Sequence, residues 1–276
     1  MSKDTALNEF KPIYLEKVFA QKNPKLAGKI PSFIYNYLKK VIHQDELNYF
    51  FGKYGASKGV EFTKHVLEYL NITYEIKGEE NLPKDGRYIF ASNHPLGGAD
   101  GIMLISCVGA MYDILFPVND ILLNVKSLDN IFLPINKHGK QARQAAENLN
   151  KAFDSDKQIL IFPAGLVSRK HKGGKIRDLE WKKTFISKAI QSKRDIIPVH
   201  VSGQNSNFFY NLANTRKFLG IKSNLEMLYL VDEFSKHRGE KFTITFGKPI
   251  PYTSLTKEKS QKEWAEEIKN IVHTLK

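Results

Sequence analysis

The sequence predicts an α/β protein with a mixed, largely parallel sheet flanked by helices and preceded by a small N-terminal helical region. Three observations point there. From about residue 80, short apolar runs alternate with helical patterns. Before that point, apolar residues recur at helical spacing. The 276 residues are 42% apolar, enough for one sizeable core with an appendage and too apolar for a disordered chain. Residues 1–79 are expected to be the helical region, and 80–276 the α/β domain.

Each element has its own signal. In PSFIYNYLKKVIH the pairs Phe33/Ile34, Tyr37/Leu38 and Val41/Ile42 return every four residues, and Ser32 can cap the helix. Phe62, Val66, Tyr69 and Leu70 mark a later helix. Such faces usually pack into a core. Lys25, Lys29, Lys39 and Lys40 keep a lipid-facing amphipathic surface open as the other reading. After the turn NLPKDG come the strand RYIFA, a helix from about residue 101, and the runs DILFPV and IFLPI. The helix GKQARQAAENLNKAF, the run QILIF and the helix KKTFISKAI follow. IIPVHV, FTITF and a last helix holding Trp264, Ile268, Ile271, Val272 and Leu275 complete the pattern. In such a fold the functional loops lie at strand ends. Here these are 92–100, 163–177 and 202–207.

Charge and cysteine content narrow the classes. Lys plus Arg number 42 against 29 Asp plus Glu, a balance of +13 that favours an anionic partner. A solvated lysine-rich surface would look the same. The one cysteine, Cys107, sits in an apolar run and reads as a buried inert thiol in a reducing compartment. The stretch GIMLISCVGAMYDILFPV is interrupted by Asp113 and Pro117 and is short of the roughly 20 residues a membrane span needs. It reads as a buried helix followed by a strand. The N-terminus has no apolar segment of the signal-peptide kind. Any membrane contact is expected from one side, without a transmembrane helix.

The loop after RYIFA is SNHPLGGADG. His94 precedes a proline and is biased to extended backbone, leaving its ring at a strand end. Gly97 and Gly98 permit a tight turn. A histidine serves as a general base near neutral pH, and a carboxylate on its second nitrogen fixes the tautomer. Asp100 is the candidate carboxylate, but a regular helix would not put residues six apart on one face. On local chemistry two readings stand: a catalytic pair, or a loop histidine followed by an N-cap aspartate.

Taken in order, the blocks resemble the glycerolipid acyltransferase superfamily, which includes the glycerol-3-phosphate and lysophosphatidate acyltransferases. Asn93, His94 and Asp100 resemble its Asn-His…Asp block, with five intervening residues where the family has four. FPAGLVSR keeps Phe162, Pro163, Gly165 and Ser168 of the third block. IIPVHV, with Pro198, resembles the fourth, and IFLPINK, with Lys137 at the basic place, suggests the second. NHPLGG, FPAG and HVSGQNSNFFYN are similar to a bacterial branch of haemolysin-like proteins and O-acyltransferases of ornithine and glycine lipids.

The resemblance implies that His94 deprotonates an acceptor hydroxyl, which attacks an acyl thioester, while Asp100 orients the imidazole. It implies substrate-binding roles for Asn93, Gly97, Gly98, Lys137, Phe162, Pro163, Gly165, Ser168 and Arg169. Oxyanion donors are expected among backbone N–H groups of the glycine-rich loop. No cofactor is implied: acyl-CoA or acyl carrier protein (ACP) is a co-substrate. A lyso-lipid acceptor and an anionic membrane surface at the cytoplasmic face are the implied partners. Two departures shift the acceptor. The third block's usual glutamate is Ala164 and its frequent arginine is Val167, which favours a mono-acylated amino-acid lipid over 1-acylglycerol-3-phosphate.

Arg169, Lys170, Lys172, Lys175 and Arg177 put five cations in nine residues, suited to a phosphate-bearing donor or an anionic bilayer. Arg169, next to the third block, is the leading ligand. Asp178 and Glu180 read as charge balance for this loop. His200 reads as a core histidine, and Asn205 and Asn207 as weak candidates for a polar head. His138 and His171 lack partners at metal-ligand spacing, so no metal is expected. The competing class is a basic non-catalytic protein binding membrane or nucleic acid. With many of its 12 Tyr and 18 Phe on apolar periods, a nucleic-acid partner is not expected.

Overall fold

The computed structural model describes residues 12–22, 24–135 and 140–275. The N-terminal part contains α1 (Leu15–Lys22), α2 (Pro24–Ala27), α3 (Ser32–Val41), α4 (Gln44–Tyr54) and α5 (Gly59–Tyr69). In α5, Phe62, Val66 and Leu67 are buried as their spacing predicts. In α3 only the C-terminal part of the expected core face is covered: Val41 is buried and Leu38 half-buried, but the N-terminal part turns outward. Phe33 is 72% and Tyr37 51% exposed, while Tyr35 and Val41 face inward. Ser32 does not cap that helix. Pro31 occupies the N-cap and no side chain caps there, because Ser32 already has its backbone inside the first turn.

The stretch read as wholly helical also holds a strand, β1 (Thr73–Lys77). Next come β2 (Tyr88–Ser92), α6 (Gly98–Val108), β3 (Ile114–Val118), β4 (Phe132–Pro134), α7 (Lys140–Asp154) and β5 (Gln158–Ile161). A small antiparallel hairpin, β6 (Arg169–Lys170) with β7 (Ile176–Arg177), stands off the main sheet. It leads to α8 (Thr184–Ser192) and β8 (Asp195–Val201). Two helices without an anticipating signal come next, α9 (Asn207–Phe218) and α10 (Leu230–Lys236). The chain then forms β9 (Lys241–Phe246) and α11 (Gln261–Thr274).

The sheet runs β1-β9-β8-β2-β5-β3-β4. Its pairs are parallel except β8 with β9, the mixed sheet expected. Strand alternation splits the core into two layers. Tyr88 and Phe90 face α5 and α6 along with Val199 and Phe116. Ile89 and Ala91 face the other way, toward α7, α8 and α11, where Phe153, Phe185 and Ile268 lie. Cys107 is buried on α6, and burial pushes its thiol up to about 12, as an inert core residue requires. The consequence for function is at one edge. β2, β5 and β8 are adjacent and parallel, so their carboxyl ends deliver 93–98, 162–168 and 202–206 to the same rim.

Candidate active site

The β2 strand ends at Ser92, and Asn93 anchors the loop that begins there. Its amide donates to the Val201 carbonyl at 2.8 Å and accepts from the Val201 N–H at 2.7 Å. It thereby ties the ends of β2 and β8 together. Asn93, expected to meet substrate, is buried with both amide atoms engaged and braces the loop.

Gly97 resolves the spacing problem. It adopts φ 81 and ψ −101, a conformation that L side chains rarely adopt, and stands at the N-cap of α6. The turn brings His94 Nδ1 to 3.0 Å from Asp100 Oδ2, so the extra residue is folded away. Asp100 is not the N-cap. It lies in the first helical turn, fully buried, reaching back over the turn. Its Oδ2 accepts from the Leu96 N–H at 2.9 Å and the Gly97 N–H at 3.3 Å, and its Oδ1 from the Gly101 N–H at 2.8 Å. Four donors and a helix N-terminus therefore converge on one carboxylate, the setting that suits negative charge. Gly97 and Gly98 serve packing as well. A Cβ on Gly97 would meet Leu230 at 2.9 Å, and one on Gly98 would meet Phe234 at 3.1 Å, both side chains of α10.

The third block holds the histidine from the other side. Phe162 stacks on the His94 ring, with centroids 3.9 Å apart and planes 13° from parallel. Ser168 donates its backbone N–H to the His94 carbonyl at 2.7 Å. Its hydroxyl donates to Asp178 Oδ1 at 2.5 Å, and the same oxygen accepts the His94 backbone N–H at 3.2 Å. The Trp181 indole N–H donates to Asp178 Oδ2 at 2.9 Å. The His94 main chain is thus gripped at both polar atoms, and its side chain keeps 15% exposure.

Several expectations change here. Asp178 does not balance the basic loop: it is buried and bonded to His94, Ser168 and Trp181, while exposed Glu180 pairs with Lys262. Ser168, buried like Asp178, is a clamp for His94. Pro163 and Gly165 shape the turn, in which the Gly165 N–H donates to the Phe162 carbonyl at 2.9 Å. The Gly97 N–H, in the loop expected to supply oxyanion donors, is used on Asp100. His200 is half-buried against His273. Asn205 is buried, its N–H donating to the Tyr210 hydroxyl, and exposed Asn207 accepts from Lys170. Lys137 and His138 lie outside the described residues.

Arg169 is also more buried than a free ligand would be. It donates to Glu226 at 2.9 Å, Arg216 donates to the same fully buried carboxylate at 2.7 Å, and Phe209 lies under the Arg169 guanidinium. Burial pulls the Arg169 guanidinium below its ordinary value, against the opposing pull of Glu226. Two arginines share one carboxylate, so a cation is left over. A cavity of about 510 Å³ opens beside them, lined by Arg169, Lys170, Lys172, Arg216 and Lys217 among others. His94 and Asp100 do not line it. Among the described residues no group of three His, Cys, Asp or Glu could hold a metal ion.

Asp178→Leu is expected to strip the His94 N–H, the Ser168 hydroxyl and the Trp181 N–H of their acceptor. Each buried unsatisfied donor costs about 1–3 kcal/mol. Thermal denaturation should show a clear loss of stability, and kcat measured where the variant is still folded should fall as His94 loses its fixed backbone. Unchanged kcat would remove Asp178 from the positioning of His94.

A family model described as acyltransferase matches residues 17–276. A lyso-glycine lipid O-acyltransferase of Bacteroides thetaiotaomicron is 51% identical over 95% of this chain and 97% of its own length. A protein of the same name from Phocaeicola vulgatus is 47% identical, covering 95% of each chain. The crystal structure of the 1-acyl-sn-glycerophosphate (LPA) acyltransferase from Thermotoga maritima has a similar fold. Its TM-score is 0.50 at 19% identity, over 95% of this chain and 86% of that one. With a matching family model over nearly the whole length and relatives near half identity, the chain belongs to the acyltransferase family and is an enzyme that transfers acyl groups.

Proposed function

We propose that the protein moves a fatty acyl group from a thioester donor to the hydroxyl of a mono-acylated amino-acid lipid, lyso-glycine lipid foremost, in membrane lipid biosynthesis. The observation that carries the chemistry is the 3.0 Å contact between His94 Nδ1 and buried Asp100. With Nδ1–H donated to the carboxylate, Nε2 is left to accept the proton of the acceptor hydroxyl. The hydroxyl oxygen attacks the thioester carbonyl, a C–O bond forms and the C–S bond breaks. The departing thiolate takes the proton back from the imidazolium, so the enzyme ends as it began.

The acceptor class is supported by the names of the two relatives and by the third block. Ala164 and Val167 stand where the resemblance expects a glutamate and an arginine, and both are buried, Val167 against Gly97. Neither offers a polar group to a glycerol phosphate. The cationic cavity beside Arg169 is assigned to the phosphate-bearing arm of acyl-ACP or acyl-CoA, whose phosphates would find charge-assisted donors there. The reaction is placed at the cytoplasmic face of the membrane, approached from one side. Among the described residues no helix is long and apolar enough to cross a membrane.

The test is a transfer assay on the purified chain with lyso-glycine lipid or lysophosphatidate, each with acyl-ACP and with acyl-CoA. A di-acylated amino-acid lipid is the expected product, with little phosphatidate. Phosphatidate as the main product would replace this reading with the 1-acylglycerol-3-phosphate one.

A further inference from the structure

We infer that residues 218–229, together with α3, form a docking face for an anionic lipid bilayer, set beside the His94–Asp100 pair so that an acceptor is acylated while still in the membrane. The inference rests on the lyso-lipid reading above and adds where and how the bilayer is met.

The apolar side chains come first. Phe218, the last residue of α9, is 90% exposed, and Leu219 beside it 63%. Ile221, Leu225 and Leu228 come next, all exposed, around a turn in which Gly220 takes φ +70. Scattered exposed leucines need no explanation, but a run of this kind marks an interaction surface. The exposed face of α3 continues it. The Tyr37 and Tyr229 hydroxyls are hydrogen-bonded at 2.7 Å, and Phe208 meets the Tyr229 ring edge-on with centroids 5.0 Å apart. Phe33 and Tyr37 on one side, and Leu228 and Phe218 on the other, therefore belong to segments that touch.

The charges identify the partner. No Asp or Glu occurs between Asp195 and Glu226, and none between Glu16 and Asp45. These two acid-free stretches supply the two halves of the face. Glu226 is fully buried and engaged by Arg169 and Arg216, so it does not offset the exposed Lys217 and Lys222. Lys29 and Lys40 are exposed around α3. Aromatic and aliphatic tips ringed by lysine are the composition of a surface that sits at the headgroup level of an anionic membrane. A second copy of a chain with net charge +13 would instead bring like charges together.

The position relates the face to catalysis. Leu225 and Leu228 are exposed, and a few residues on, Leu230 and Phe234 pack against Gly97 and Gly98 of the catalytic turn. One short segment thus reaches from the proposed bilayer surface to the loop that carries His94.

The test uses the full chain and vesicles of phosphatidylcholine with or without phosphatidylglycerol, read by co-sedimentation. Two variants separate the contributions, Phe218→Ser with Leu219→Ser, and Lys222→Glu. Their side chains are exposed, so folding should be undisturbed. The wild type should bind the anionic vesicles and bind neutral ones far less, and each variant should bind anionic vesicles about tenfold more weakly. Transfer to a short-chain, monomeric lyso acceptor should stay at the wild-type rate in both variants, while transfer to acceptor embedded in vesicles falls. Variants that bind vesicles as the wild type does would overturn the inference. So would a dimer or a complex with acyl carrier protein that the Phe218/Leu219 variant disrupts while vesicle binding persists. A wild type that binds anionic vesicles but acylates no soluble lyso acceptor would count against the functional reading and leave the docking face standing.

Discussion

His94→Ala should lower kcat by about 10²- to 10⁴-fold, the contribution of a positioned general base. The fold should survive it. The hydrogen bonds at His94 that tie β2 to the third block are made by its main chain, to Asp178 and Ser168, and alanine keeps both. What is lost is the ring on Phe162 and one of the four donors to Asp100. Thermal denaturation and vesicle co-sedimentation should therefore stay close to wild type while transfer collapses. A basic membrane-binding protein without chemistry would show no such separation, because it has no transfer to lose.

Asp100→Asn is expected to lower kcat by a similar factor, about 10²- to 10⁴-fold, through the tautomer of His94. It should also cost stability, which His94→Ala does not. Both Asp100 oxygens accept: Oδ2 from His94, Leu96 and Gly97, and Oδ1 from Gly101. An asparagine must turn its NH₂ toward one of these sets, setting donor against donor in a fully buried place. Leaving a buried donor unsatisfied costs about 1–3 kcal/mol. Circular dichroism melts paired with transfer rates would resolve the two effects. A variant with wild-type kcat would mean that the carboxylate only holds the helix start.

Legibility depends on how local each signal is. β2, β5 and β8 announce themselves because buried parallel strands are short apolar runs, and β9 because Phe242, Ile244 and Phe246 alternate with threonines. β1 is hidden in the sequence because Thr73, Glu75 and Lys77 interrupt it and it sits at the sheet edge behind five helices. In α9 the aromatics Phe208, Phe209 and Tyr210 are consecutive, which blurs the helical period. The α3 pairs have helical spacing, but spacing does not say whether a stripe meets a core or a bilayer. His94 and Asp100 are legible only together with the later blocks, because six positions span no regular face. What joins them is the positive φ of Gly97, which the glycine permits without specifying. Asp178 reads as charge balance because five cations precede it in sequence. In space it lies with His94, 84 residues earlier, and only the fold makes that contact. Glu226 is silent in the sequence for the same reason, and it is what turns Arg169 from a free ligand into a shared one.

The central claim, that His94 and Asp100 act as one unit, is tested most directly by a double-mutant cycle on kcat. His94→Ala, Asp100→Asn and the double variant would be assayed at saturating lyso-glycine lipid. If Asp100 works through the imidazole, it has nothing to orient once His94 is gone. The double variant should then be about as slow as His94→Ala alone. Losses that multiply in the double variant would contradict the claim, since Asp100 would then be acting on the reaction without His94.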